Sequence, residues 1–189
     1  MNLAKLFEMQ KELDARILEE HPIQEGEDRL AKKILALQVE LGELCNCWRG
    51  FKFWSGRQEP VTENLRVADY KESGEAILET YNPLLEEYVD VVHFALSVGL
   101  EIEIKHEIFP EPINYGDVVI QFNELFGQIS YFASVLNREN EWEEVESEYE
   151  RIWSLLFGLA GLLGFTWEQI EQAYFQKNKI NHQRQEEGY

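Results

Sequence analysis

Two pairs of carboxylates stand where apolar residues would ordinarily continue. Glu40 and Glu43 lie in "ILALQVELGELCNCW", and Glu87 and Asp90 interrupt "LLEEYVDVVHFALSVGL". A carboxylate costs several kcal/mol to desolvate unless something pairs with it. Residues three apart on a helix share a face, with about 5–6 Å between their Cβ atoms. Two such pairs on packed neighbouring helices would gather four carboxylates, which cannot all ionise together without cations. Oxygen ligands of this kind suit hard divalent ions such as Mg²⁺ or Mn²⁺. Spacing alone leaves a plainer alternative open, in which each pair lies on the wet edge of an amphipathic helix. With 36 acids among 189 residues, random placement already gives roughly 7 acidic pairs at this spacing. The apolar setting is what separates these two from "EWEEVESEYE", residues 141–150, which reads as a solvated helix face. Asp90 with His93, and Glu103 with His106, resemble the carboxylate–histidine element of a di-iron bundle. That architecture needs the two elements on separate helices, and these fall on one.

Further candidates flank the acids. The C-terminal "YFQKNKINHQRQEEGY" collects Lys177, Lys179, His182 and Arg184 in a chain of net charge −19. Lys and Arg are the usual partners of phosphate oxygens, although cations also favour a helix C-terminus in their own right. "WRGFKFWSG", residues 48–56, is aromatic and basic just beyond the first acidic pair, suited to cover a nucleobase or to pack a loop. Gln10 and Asp14 are four apart on an otherwise apolar face, where an amide could read a base edge or mark a polar boundary.

The elements that must position these groups are helical. Apolar spacing predicts helices over residues 2–19, 27–48, from Pro83 to about Glu107, 115–137 and 141–163. A sixth starts near Trp167, where Thr166 and Gln169 form a capping box after Gly164. Residues 50–82 read as a long connection with short helical pieces, and connections of this length are often functional. "EIEIKHEIF" is the one stretch with strand-like alternation. The expected class is an all-α bundle of about six helices in a single domain spanning 1–189. At 44% hydrophobic and 13% aromatic the chain has material for a real core. The strong negative charge argues against loose binding to nucleic acid or an anionic membrane, which needs a positive surface. Cys45 and Cys47 are too few and too close for a disulfide framework. With no secretory leader and no apolar run of about 20 residues, the sequence reads as cytosolic.

Taken together, five stretches resemble, in order, the dimeric all-α dUTP diphosphatases, within the superfamily that includes MazG-type nucleotide pyrophosphohydrolases. They are "LFEMQKELDARI", "ELGEL", "FKFW", "EYVD" followed by "HFALS", and "KNKINHQRQEEGY". The acidic motifs are shared across the superfamily, whereas the tail favours the dUTPase branch. The resemblance implies hydrolysis of dUTP to dUMP and diphosphate, with dUDP a further possible substrate. It implies two or more Mg²⁺ ions (Mn²⁺ as an alternative) on Glu40, Glu43, Glu87 and Asp90, with Glu43 nearest the attacking water. Lys177, Asn181, Arg184 and Tyr189 would contact the phosphates and sugar. Gln10, Asp14 and Trp54 would form the base pocket, with Lys52 and Gln185 as accessory motif residues. Asp14 stands where several relatives carry Asn. A homodimer is implied, with sites near its interface. The alternatives are a MazG-like enzyme acting on another nucleoside triphosphate, and a non-enzymatic acidic helical protein that binds a partner.

Overall fold

The computed structural model describes residues 3–71, 73–104, 110–138 and 142–188. Six helices and one hairpin follow in order: α1 (Leu3–Glu20), α2 (Arg29–Trp48), β1 (Asn64–Tyr70), β2 (Ala76–Tyr81), α3 (Pro83–Glu101), α4 (Val118–Leu136), α5 (Trp142–Leu163) and α6 (Trp167–Glu186). The helix starts follow from local chemistry. Asp28, Asn82 and Asp117 each cap an N-terminus, accepting from the backbone N–H of Ala31, Leu85 and Ile120. Pro83 sits in the first turn, where its missing donor costs nothing. The capping box expected at Thr166 and Gln169 is present in both directions. α2 stops because Arg49 turns left-handed, at φ 65°, and returns its N–H to the Cys45 carbonyl.

α3 is the central helix. Tyr88, Val89, Val91, Val92, Ala95, Leu96 and Val98 are all essentially inaccessible, because α1, α2, α5 and α6 pack around it. Two tyrosines lock it to α5: Tyr88 Oη donates to the Leu156 carbonyl at 2.9 Å, and Tyr149 Oη to the Ala95 carbonyl at 2.8 Å. Both hydroxyls are buried and satisfied, so they specify register without leaving an orphan polar group. Helix α3 ends at Glu101, short of the expected Glu107, and Lys105–Phe109 lie outside the described residues.

The connection 50–82 differs from expectation. In place of helical pieces it holds an antiparallel hairpin with Leu65 opposite Thr80, Val67 opposite Leu78, and an irregularity between Val67 and Asp69. Arg66 lies on one hairpin face, bridging Glu79 at 2.7 Å and Glu86 of α3 at 3.0 Å, with its guanidinium over the Tyr81 ring. Leu65, Val67 and Leu78 remain exposed. No helix among the described residues is long and apolar enough to cross a membrane.

Candidate active site

The two acidic motifs meet where α2 packs on α3. One carboxylate oxygen from each of Glu40, Glu87 and Asp90 lies within 4.8 Å of the others. Burial, then the charges of Asp90, Glu43 and Glu87, push the Glu40 carboxyl up to about 7. Burial first, then Asp90 and Glu43, raises Glu87. Burial also holds Asp90 above the usual carboxylate range, although Lys177 pulls the other way. A site that raises three acids at once is short of positive charge, and the oxygen-only donor set fits a hard divalent cation.

Lys177 of α6 supplies part of that charge. Its Nζ contacts Asp90 at 2.6 Å and Glu86 at 3.1 Å. Burial lowers its affinity for a proton, but the Asp90 and Glu86 carboxylates outweigh this and hold it above the ordinary lysine value. Glu86 was not expected from the sequence. It joins Lys177 to Arg66, so a chain of ion pairs runs from the hairpin to Asp90.

Beside the acids opens a cleft of ≈ 750 Å³ between α1, α2, α3 and α6. Lys11, Arg29, Lys32, Lys33, Lys177 and Arg184 line it, a large share of the 17 basic residues of a chain at −19. A local positive wall next to a cation site suits an anionic ligand, whatever the net charge. The remaining walls are apolar or amide, including Leu13, Ile17, Phe94, Gln10 and Asn181. A cleft of this volume, with a basic wall and apolar flanks, suits a small-molecule ligand that carries negative charge.

Comparison with known proteins turns this chemistry into an assignment. A dUTPase family model matches residues 2–69 and 76–189. The chain belongs to the dUTPase family. No curated protein matches it significantly. Membership supports dUTP diphosphatase activity, and the six-helix architecture agrees with the expected class. The family match skips residues 70–75, from the last residue of β1 to the one before β2.

Within this dUTPase fold, the residues singled out by sequence divide into three groups. Glu40, Asp90, Gln10, Asp14, Lys177, Asn181 and Arg184 line the cleft. Glu87 completes the acidic cluster, while Glu43 stands at its solvent edge, exposed yet close enough to raise both Glu40 and Glu87. Trp54 and Lys52 lie off this cleft. Trp54 is 66% exposed and packs edge-on against Phe51 and Phe53, and Lys52 bonds Asn46 beside Phe51. Gln185 does not line the cleft, and Tyr189 lies outside the described residues.

His93 does not join the carboxylate cluster. Its Nδ1 stands 2.7 Å from Gln10 Oε1 and its ring stacks on Tyr174. His106, the other histidine of the di-iron reading, lies outside the described residues. His93, Ser97 and Lys33 join the cleft wall without having been expected. His93 and Ser97 could have been found from their spacing, three and seven residues beyond Asp90 on the same helix face.

Proposed function

We propose that this dUTPase family member hydrolyses dUTP to dUMP and diphosphate with Mg²⁺ held by Glu40, Glu87 and Asp90, and with Glu43 completing the set from the solvent edge. The observation that carries this is the convergence of three carboxylate oxygens within 4.8 Å at one end of a basic, nucleotide-sized cleft. Divalent cations bound there would neutralise phosphate charge and acidify a nucleophilic water.

The chain's own groups supply the rest. Lys177 and Arg184 offset negative charge along the phosphates, and a preoriented ammonium in a half-dry site is worth more than one in water. Asn181, adjoining Arg184 on α6, offers an amide to the sugar or phosphates. Glu43, exposed and beside Glu40 and Glu87, is the carboxylate assigned to accept the water's proton. Gln10 and Phe94 face the base end of the cleft. A homodimer accounts for Trp54 and Lys52: they reach a base or phosphate only if a second copy presents its cleft to them.

The test is diphosphate release from dUTP, dTTP, dCTP and UTP with Mg²⁺, repeated with Glu43→Gln. The reading expects strong preference for dUTP and a rate loss of about 10²-fold or more in the variant. Equal turnover of dTTP would sink the substrate assignment, and full activity in Glu43→Gln would sink the role of that carboxylate.

A further inference from the structure

Asp90 belongs to two acidic pairs on one helix. Glu87 precedes it by three residues and shares the carboxylate cluster with it. Glu86 precedes it by four, and both spacings make neighbours on a helix surface. Like charges so placed repel, although Glu86 lies in the first turn of α3, where the helix N-terminus favours an acid. Lys177 resolves this second pair. Its ammonium stands 3.1 Å from Glu86 Oε1 and 2.6 Å from Asp90 Oδ2. The other Glu86 oxygen accepts from the Arg66 guanidinium at 3.0 Å, which fixes the carboxylate from the hairpin side.

This is no surface ion pair. The Lys177 side chain is 10% exposed, and an ammonium that dry depends on the carboxylates around it. Its charge acts on Glu40, Glu87 and Asp90 alike, opposing in each the upward push of burial. In the metal-free cluster the ammonium therefore does part of the work of a divalent cation. A cation arriving on Asp90 meets a positive charge already bonded to that carboxylate, and the two compete for it. Losing Asp90 would strand a buried ammonium, were Glu86 not there to hold it.

We propose that Lys177 is the resident counter-cation of the acid cluster, and that Glu86 is the positioning residue that keeps its ammonium at the site when a divalent ion claims Asp90. The inference rests on the metal-dependent reading above and adds Glu86 to it, a residue that stands outside the metal set and acts through Lys177. A bound ion and a retained ammonium repel each other until phosphate oxygens lie between them. The arrangement therefore favours a metal that arrives with a nucleotide over a metal alone. A bridge that only fastened α6 to α3 would leave metal affinity untouched.

Calorimetric titration with Mg²⁺ alone tests this in wild type, Lys177→Met, Glu86→Gln and the double variant. Lys177→Met should bind the ion about 10-fold tighter, because the competing charge is gone. Glu86→Gln should bind it about 10-fold more weakly, but by no more than about 3-fold in the Lys177→Met background. Unchanged or weaker binding in Lys177→Met would overturn the counter-cation role. An equal loss from Glu86→Gln in both backgrounds would overturn the positioning role, since Glu86 would then act only as a nearby charge. Nitrogen NMR of the wild-type protein reads the same event without a variant. The Lys177 Nζ resonance should shift at saturating Mg²⁺, and a static resonance would refute the competition. A wild-type protein that binds neither Mg²⁺ nor Mn²⁺ would sink the metal-dependent reading and this inference with it.

Discussion

Replacing Glu40 with Gln should make the metal-free protein more stable at neutral pH, although it removes a residue assigned to the reaction. The Glu40 carboxyl is raised from 4.5 to about 7 by burial and by its acidic neighbours. Between those values the folded protein keeps a proton that the unfolded chain has released. Stability therefore falls as pH rises through this window, and the loss is complete above the folded value. At 1.36 kcal/mol per unit a fully dry site would lose about 3 kcal/mol. Glu40 is only half-buried, and water screening reduces this to about 1.5 kcal/mol. Gln has the same shape and no charge, so it escapes the loss. Glu87 and Asp90 are shifted in the same direction and steepen the wild-type profile further.

Urea denaturation followed by circular dichroism in EDTA at pH 5, 6, 7 and 8 reads this directly. The two proteins should be nearly equal at pH 5, with Glu40→Gln ahead by about 1.5 kcal/mol at pH 8, or roughly 3–6 °C in melting temperature. Adding Mg²⁺ should reverse the order, since only the intact acid set gains from binding. A Gln variant that is less stable than wild type at pH 8 in EDTA would refute the electrostatic account of this cluster.

Lys177→Met should leave Asp90 and Glu86 facing each other without their shared ammonium. Metal-free stability at pH 8 should drop by about 1–3 kcal/mol, recovering toward pH 5, as read by the same urea curves. Gly158→Ala should destabilise by about 1–3 kcal/mol or more. An added Cβ would sit 1.8 Å from the Ile113 carbonyl oxygen, a backbone atom that cannot swing aside, and the shift in urea midpoint checks it. Sedimentation should show a dimer that Leu35→Glu with Val39→Glu converts to monomer. Those side chains are 61% and 50% exposed, four apart on α2, and a monomeric wild type would refute the dimer reading.

What could be read from the sequence follows the physics of each segment. The six helices were legible because each carries an apolar stripe, and four have N-caps of ordinary type. The acidic pairs were visible because their neighbours are buried: Leu41 lies inside one pair and Leu44 follows it, while Tyr88 and Val89 lie inside the other. The hairpin was hidden because burial does not mark it. Its Leu65, Val67 and Leu78 are exposed, so they resembled scattered loop residues instead of one half of a core. The roles of Glu86, Lys33 and Asp14 depend on partners 91, 68 and 83 positions away in the chain. No local pattern encodes such pairings. Gln10 was expected to form a base pocket with Asp14 and Trp54, and its acceptor oxygen turns out to be committed to His93 and Tyr174.

The hairpin's attachment carries a last consequence. It is tied to α3 through charge, by Arg66 on Glu86, while its apolar side chains bury little. A lone two-stranded ribbon is marginal in water, and global unfolding is governed by the helices that surround α3. The hairpin should therefore behave as a separate cooperative unit of low free energy. Its amides at 64–70 and 76–81 should exchange with deuterium well before those of α3, and faster as salt screens the ion pair. Opening it would also release Glu86 from Arg66 and leave Lys177 to be shared anew between two acids, so slow breathing at the molecule's edge would be felt at its centre.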